Sequence, residues 1–131
     1  MNVKRWAAVF GLLALLMAAA GCGGRDSQQE DNGGLNITLE AASLDVGPTT
    51  LVISVADADG APVNDAVLSV RGDMTHAGML PVLGDAVSDG AAGRYLAPFE
   101  WTMGGDWVVT VEVTLADGTV ARESFDLTIN G

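Results

Sequence analysis

The chain has 131 residues, 49% of them hydrophobic, and its 17 acidic residues outnumber the six basic ones to give a formal charge of −11. That length suits one domain with a packed core. The acidity excludes nucleic acid and anionic lipid surfaces as charge-held partners, since both repel it, and a single cysteine excludes a disulfide framework.

Residues 1–21 have the layout of an export signal. Lys4 and Arg5 form a positive start, and the apolar run from Trp6 to Ala20 is broken only by Gly11. That run is shorter than the roughly 20 residues a bilayer-spanning helix needs. The segment Leu16-Met17-Ala18-Ala19-Ala20-Gly21-Cys22 resembles a bacterial lipobox, with Ala19 standing where leucine is commoner. The resemblance implies that Cys22 becomes the N-terminus and carries lipid. The protein is then anchored in the cell envelope, facing the periplasm or the exterior. Gly23 follows the cysteine where aspartate would signal inner-membrane retention, which favours the outer membrane where two are present. Loss of Lys4 and Arg5 leaves four arginines (Arg25, Arg71, Arg94 and Arg122) against 17 acids, a formal charge of −13 with no lysine. Such acidity serves solubility in the first place and permits cationic partners or metal ions. Residues 22–34 hold the lipidated cysteine and a polar, glycine-flanked linker, GGRDSQQEDNGG. A linker of that length has a reach of about 20 Å.

From Leu35 to Gly131 the pattern has period two. Leu35, Ile37 and Leu39 alternate with Asn36, Thr38 and Glu40, and Leu51, Ile53 and Val55 with Val52, Ser54 and Ala56. Leu68 and Val70 follow, then the longest stripe (Trp107, Val109, Val111, Val113 and Leu115), then Phe125, Leu127 and Ile129. Alternation of this kind marks strands with one buried face. Turn signals separate them: Gly47-Pro48, Asp57-Ala58-Asp59-Gly60, Asp89-Gly90, Gly93, Gly104-Gly105 and Ala116-Asp117-Gly118. Short strands at this spacing predict an all-β, immunoglobulin-like sandwich of about seven strands over residues 35–131. Trp107 heads an apolar stripe and is expected in the core, and Tyr95 is expected to pack in a strand with its hydroxyl bonded to a loop. The segment Asp57 to Gly60 lacks the downstream ligands of a calcium loop and reads as a turn.

The ordered series Gly60-Ala61-Pro62-Val63, Ala66 to Val70, Met74-Thr75-His76-Ala77-Gly78-Met79, Gly93-Arg94-Tyr95 and Phe99 to Trp107 resembles the YtkA-like domain, related to the FixH family. The resemblance implies an extracytoplasmic immunoglobulin-like β-sandwich. FixH-type relatives are linked to copper supply for a respiratory oxidase, but a transmembrane helix anchors them, whereas this chain has a lipobox.

Met74 to Met79 contains the sole histidine and two of the five methionines. Thioether and imidazole are soft or borderline donors that suit Cu(I). If residues 74–76 are extended, Met74 and His76 point to one face, about 7 Å apart. Gly78 permits a bend returning Met79, and Met103 is a further sulfur. The expected metal ligands are therefore Met74, His76, Met79 and Met103. The competing expectation is that these methionines fill one end of the core. The placement of Trp101 is left open between the core and an exposed position near Met103, where it would shield an ion or meet a partner.

An enzyme is not expected. With Cys22 consumed by lipid, one histidine and no lysine after the signal, no serine lies in a recognisable nucleophile motif. The remaining expectation is a binding or accessory module of an envelope complex that uses no metal. A Cys22→Ala chain is expected to lose incorporation of labelled palmitate in the producing cell; unchanged labelling rules lipidation out.

Overall fold

The computed structural model describes residues 32–131. The signal, Cys22 and most of the linker lie outside the described residues. The period-two stripes become seven strands: β1 (Asn36–Ala41), β2 (Gly47–Ala56), β3 (Val67–Met74), β4 (Val82–Ser88), β5 (Arg94–Trp101), β6 (Gly105–Thr114) and β7 (Val120–Ile129). Every ladder between them is antiparallel. Among the described residues there is no helix.

The strand order is β1-β2-β5-β4-β3-β6-β7. β4 is the corner. Its residues Val82 to Ala86 pair with β3, and Val87 and Ser88 pair with β5. The sheet therefore folds about β4 into two layers, β1-β2-β5 and β3-β6-β7. This is the strand partition of an immunoglobulin-like sandwich. One layer contributes Ile37, Leu51, Ile53, Val55, Tyr95, Ala97, Phe99 and Trp101 to the core, and the other Leu68, Val70, Met74, Trp107, Val109, Val111, Val113, Ala121 and Ile129. At about 25 cal/mol per Å² of apolar area, this interlayer burial is the main stabilising contribution.

The expected one-faced strands and turns form, with local differences. Leu115 N–H donates to the Thr119 carbonyl and Gly118 N–H to the Leu115 carbonyl, closing the β6–β7 hairpin with Gly118 at φ 88°. The Thr119 N–H also donates to Asp117, holding that carboxyl below its usual range. Asp57 Oδ1 accepts the backbone N–H groups of Asp59 and Ala61, so this aspartate serves its own turn. Tyr95 donates its hydroxyl to the Val63 carbonyl at 2.7 Å and accepts the Ala66 N–H, the loop bond its sequence position predicted. Gly47 and Pro48, by contrast, are not the connection between the first two strands. They open β2, paired with Trp101 and Glu100, and residues 42–46 make the connection. At the end of the linker, Leu35 N–H donates to the Asn32 carbonyl, and Gly33 and Gly34 adopt positive φ in the turn into β1.

Phe99 has a seat made by two inward-facing glycines. On β3 the buried positions are Leu68, Val70, Gly72 and Met74. A Cβ on Gly72 would stand 2.6 Å from the Phe99 ring, and one on Gly84 of β4 would stand 3.1 Å from the Pro98 carbonyl oxygen. Phe99 is itself held edge-on against Trp101, at 4.9 Å between centroids. The ring therefore cannot retreat without disturbing its neighbour. A Gly72→Ala chain is expected to lose about 1–3 kcal/mol of stability through overpacking, with a smaller loss for Gly84→Ala. Urea midpoints at constant m-value measure both, and an unshifted midpoint for Gly72→Ala refutes the seat.

Candidate functional site

The candidate residues gather at the pole of the sandwich where β3 ends and β6 begins. Two indoles organise it. The Trp107 ring lies 5.3 Å from that of Trp101 at an interplanar angle of 67°, an edge-on pair. Both are buried, and a buried indole N–H needs an acceptor. Trp101 Nε1–H donates to the Ser43 carbonyl at 2.8 Å, and Trp107 Nε1–H donates to the Met103 carbonyl at 3.0 Å. These bonds fix the 42–46 and 102–104 loops to the core. Trp107 is in the core as expected. Trp101, left open by the sequence, is in the core too: at 0% exposure it is not placed to shield an ion or meet a partner. It falls on the inward side of β5, in step with Tyr95, Ala97 and Phe99, and its only polar atom is already engaged.

Met74 is the last residue of β3 and sits opposite Trp107 in the register. It is 8% exposed and belongs to the core cluster. Its methyl group lies 3.4 Å from where a Cβ on Gly105 would stand, so the glycine leaves it room. β3 stops there, and the extended continuation from Met74 to His76 does not occur. Thr75 donates its N–H to the Asp106 carbonyl at 3.2 Å, and the chain bends at Thr75 and His76. Gly78 supplies the predicted turn at φ 82°. His76 is exposed, and among the described residues no hydrogen bond or ion pair engages it. Met79 is 38% exposed and Met103 46%.

The structure thus brings the four predicted ligands to one pole but divides them. Met74 faces inward. His76 and Met79 lie on the loop 75–81, tied to β6 through Asp106, and Met103 on the loop tied to β6 through Trp107. No group of three or more histidine, cysteine, aspartate or glutamate side chains able to hold a metal occurs among the described residues. The donors at this pole are soft thioethers, one imidazole and separate carboxylates that form no such group. Sequence reasoning passed over Leu44, Val46 and Leu80 here, all exposed, the last at 85%. Their signal was available: each is a large apolar residue outside any alternating stripe.

The class is therefore an all-β immunoglobulin-like sandwich with a methionine- and histidine-bearing pole. A family model described as YtkA-like matches residues 28–112, and the chain belongs to that family. The match reaches upstream of the Gly60 to Trp107 motifs and ends within β6, leaving β7 beyond it. No curated protein matches the chain. Among solved structures, MtrC from Shewanella baltica OS185 is similar at 17% identity and a TM-score of 0.44, over 73% of this chain and 22% of that one. This chain thus spans about a fifth of MtrC. The ZirS C-terminal domain is similar at 13% identity and a TM-score of 0.44, over 96% of this chain and 85% of that one.

A Trp101→Phe substitution removes the donor to Ser43 and part of a buried ring. It is expected to cost about 1–3 kcal/mol, read from denaturant midpoints. A neutral result would mean that the 42–46 loop does not depend on that bond.

Proposed function

We propose that this YtkA-like protein is a non-catalytic, lipid-anchored envelope protein that binds Cu(I) at the β3–β6 pole, for copper handling or delivery. The observation that carries the reading is the joint exposure of His76, Met79 and Met103 on two loops pinned to the start of β6. Thioether and imidazole match Cu(I) in softness. Among the described residues His76 spends its ring nitrogens on no other residue, and Met79 and Met103 are both exposed. His76, Met79 and Met103 would hold the ion. Met74 would form the apolar floor beneath them, or supply a fourth sulfur by leaving its place beside Trp107.

The anchor follows from the lipobox resemblance around Cys22, and placement in the outer membrane, where there are two, from Gly23. The residues 32–35 enter beside the 57–61 turn, where Asn36 Nδ2 donates to the Asp57 carbonyl. The β3–β6 pole is at the far end of strands up to ten residues long, about 33 Å away. Copper at that pole would face away from the tether.

The test is a titration of the protein with Cu(I) against a competing chelator. One equivalent is expected to bind, with His76→Ala and Met103→Leu each weakening uptake at least about tenfold, or 1.4 kcal/mol. Met74→Leu separates floor from ligand: affinity held within about threefold assigns it to the floor. Absence of uptake, or uptake indifferent to His76→Ala, overturns the copper site. A second reading is a metal-free interaction module of an envelope complex. The exposed apolar side chains of the same loops favour it.

A further inference from the structure

Nine large apolar side chains are exposed among the described residues. Four of them (Val67, Leu83, Val87 and Val120) are spread over strands β3, β4 and β7. The other five (Leu44, Val46, Met79, Leu80 and Met103) fall on the three loops of the β3–β6 pole. Concentration of this kind marks a contact surface more than scattered exposure does. The loops are held in shape by backbone bonds. Asn130 N–H donates to the Leu44 carbonyl at 2.7 Å, and Val46 N–H donates to the Asn130 carbonyl at 3.2 Å. Thr75 is bonded to Asp106, and the two indoles secure Ser43 and Met103. A surface fixed in advance loses little conformational freedom when it docks.

Charge selects the occupant. The described basic residues are Arg71, Arg94 and Arg122, each within 3.0 Å of a carboxylate (Asp73, Asp89 and Glu112) and none on these loops. The acids around the pole are Asp45, Glu100 and Asp106. Asp45 accepts from Asn130 and Ser43, and Asp106 from Thr128, all neutral donors that leave the carboxylate charge uncancelled. A second copy of this chain would bring a matching acidic rim against this one and be repelled, as would an anionic lipid surface. The first described residues, 32–35, lie at the opposite pole, leading into Asn36 beside Asp57.

We infer that this pole docks onto a partner protein whose contact surface has an apolar centre and a rim of lysine or arginine. The inference deepens the metal-free interaction reading and requires no copper. Apolar burial supplies the adhesion, and the acidic rim sets partner choice and encounter rate.

The experiment uses the full chain, produced without lipidation so that Cys22 keeps a free thiol, stripped of metal by chelator and immobilised through that thiol, so that the opposite pole stays open. A phage-displayed random peptide library is the probe. Enriched peptides are expected to combine two or more large apolar residues with lysine or arginine. Their binding should fall at least tenfold on Leu80→Asp and Met103→Asp chains, and fall with rising salt. Leu80 and Met103 are exposed, so both variants should fold. Asp57→Asn and Asp117→Asn, at the opposite pole, should leave binding unchanged. Acidic or neutral enriched peptides, binding indifferent to Leu80→Asp, or binding lost in the opposite-pole variants would overturn the inference. Sedimentation showing a dimer that Leu80→Asp dissolves would also overturn it, by making a second copy the occupant. Because the protein is metal-free throughout, a negative result here leaves the copper titration to stand or fall separately.

Discussion

The burial of two neighbouring indoles at one end of a small sandwich is the constraint on which the rest depends. Each brings a large apolar area into the core and one N–H that must be satisfied there. Inside the core the strand backbones are already committed to their ladders. The available acceptors are carbonyls on the loops overhead, Ser43 for Trp101 and Met103 for Trp107. Satisfying the indoles therefore also shapes the loops. The arrangement of Leu44, Val46 and Met103 at the surface is a by-product of a requirement set in the interior.

The same constraint orders the packing below. Trp101 leans on Phe99, and Phe99 needs the volume left by Gly72 and Gly84. Met74 covers Trp107 from β3 and takes the room left by Gly105. A chain of aromatic and sulfur contacts thus runs through the pole, with glycines on β3, β4 and β6 spaced to admit it. β4, free to pair with β3 along one part and β5 along another, joins the layers around this chain.

The strands β1, β2, β3, β6 and β7 were legible because each buries one face, so the alternation in composition is the alternation in space. β4 was not, since Leu83 and Val87 place apolar residues on its outer face and blur the period. On β5, Leu96 and Pro98 between the inward residues had the same effect. The extension of β2 back to Gly47 runs against turn chemistry because glycine and proline are tolerated where a strand begins. For the site, residue types were readable but burial was only half used. Continuing the inward series Leu68, Val70, Gly72 by two places reaches Met74 and puts it in the core. The series Tyr95, Ala97, Phe99 does the same for Trp101. The grouping of Leu44 and Val46 with Met79 and Leu80 was not readable, because it depends on which loops share a pole, and that is decided by strand order.

The indole pair has an optical consequence. Two such rings in edge-on contact couple their intense far-ultraviolet transitions, giving the folded protein a dichroic couplet that neither ring gives alone. One of the two is hydrogen-bonded through its nitrogen to the loop that carries Met103. An ion or protein settling on that loop would act, through this bond, on a chromophore buried in the core, and so make it a spectroscopic gauge of events at the surface.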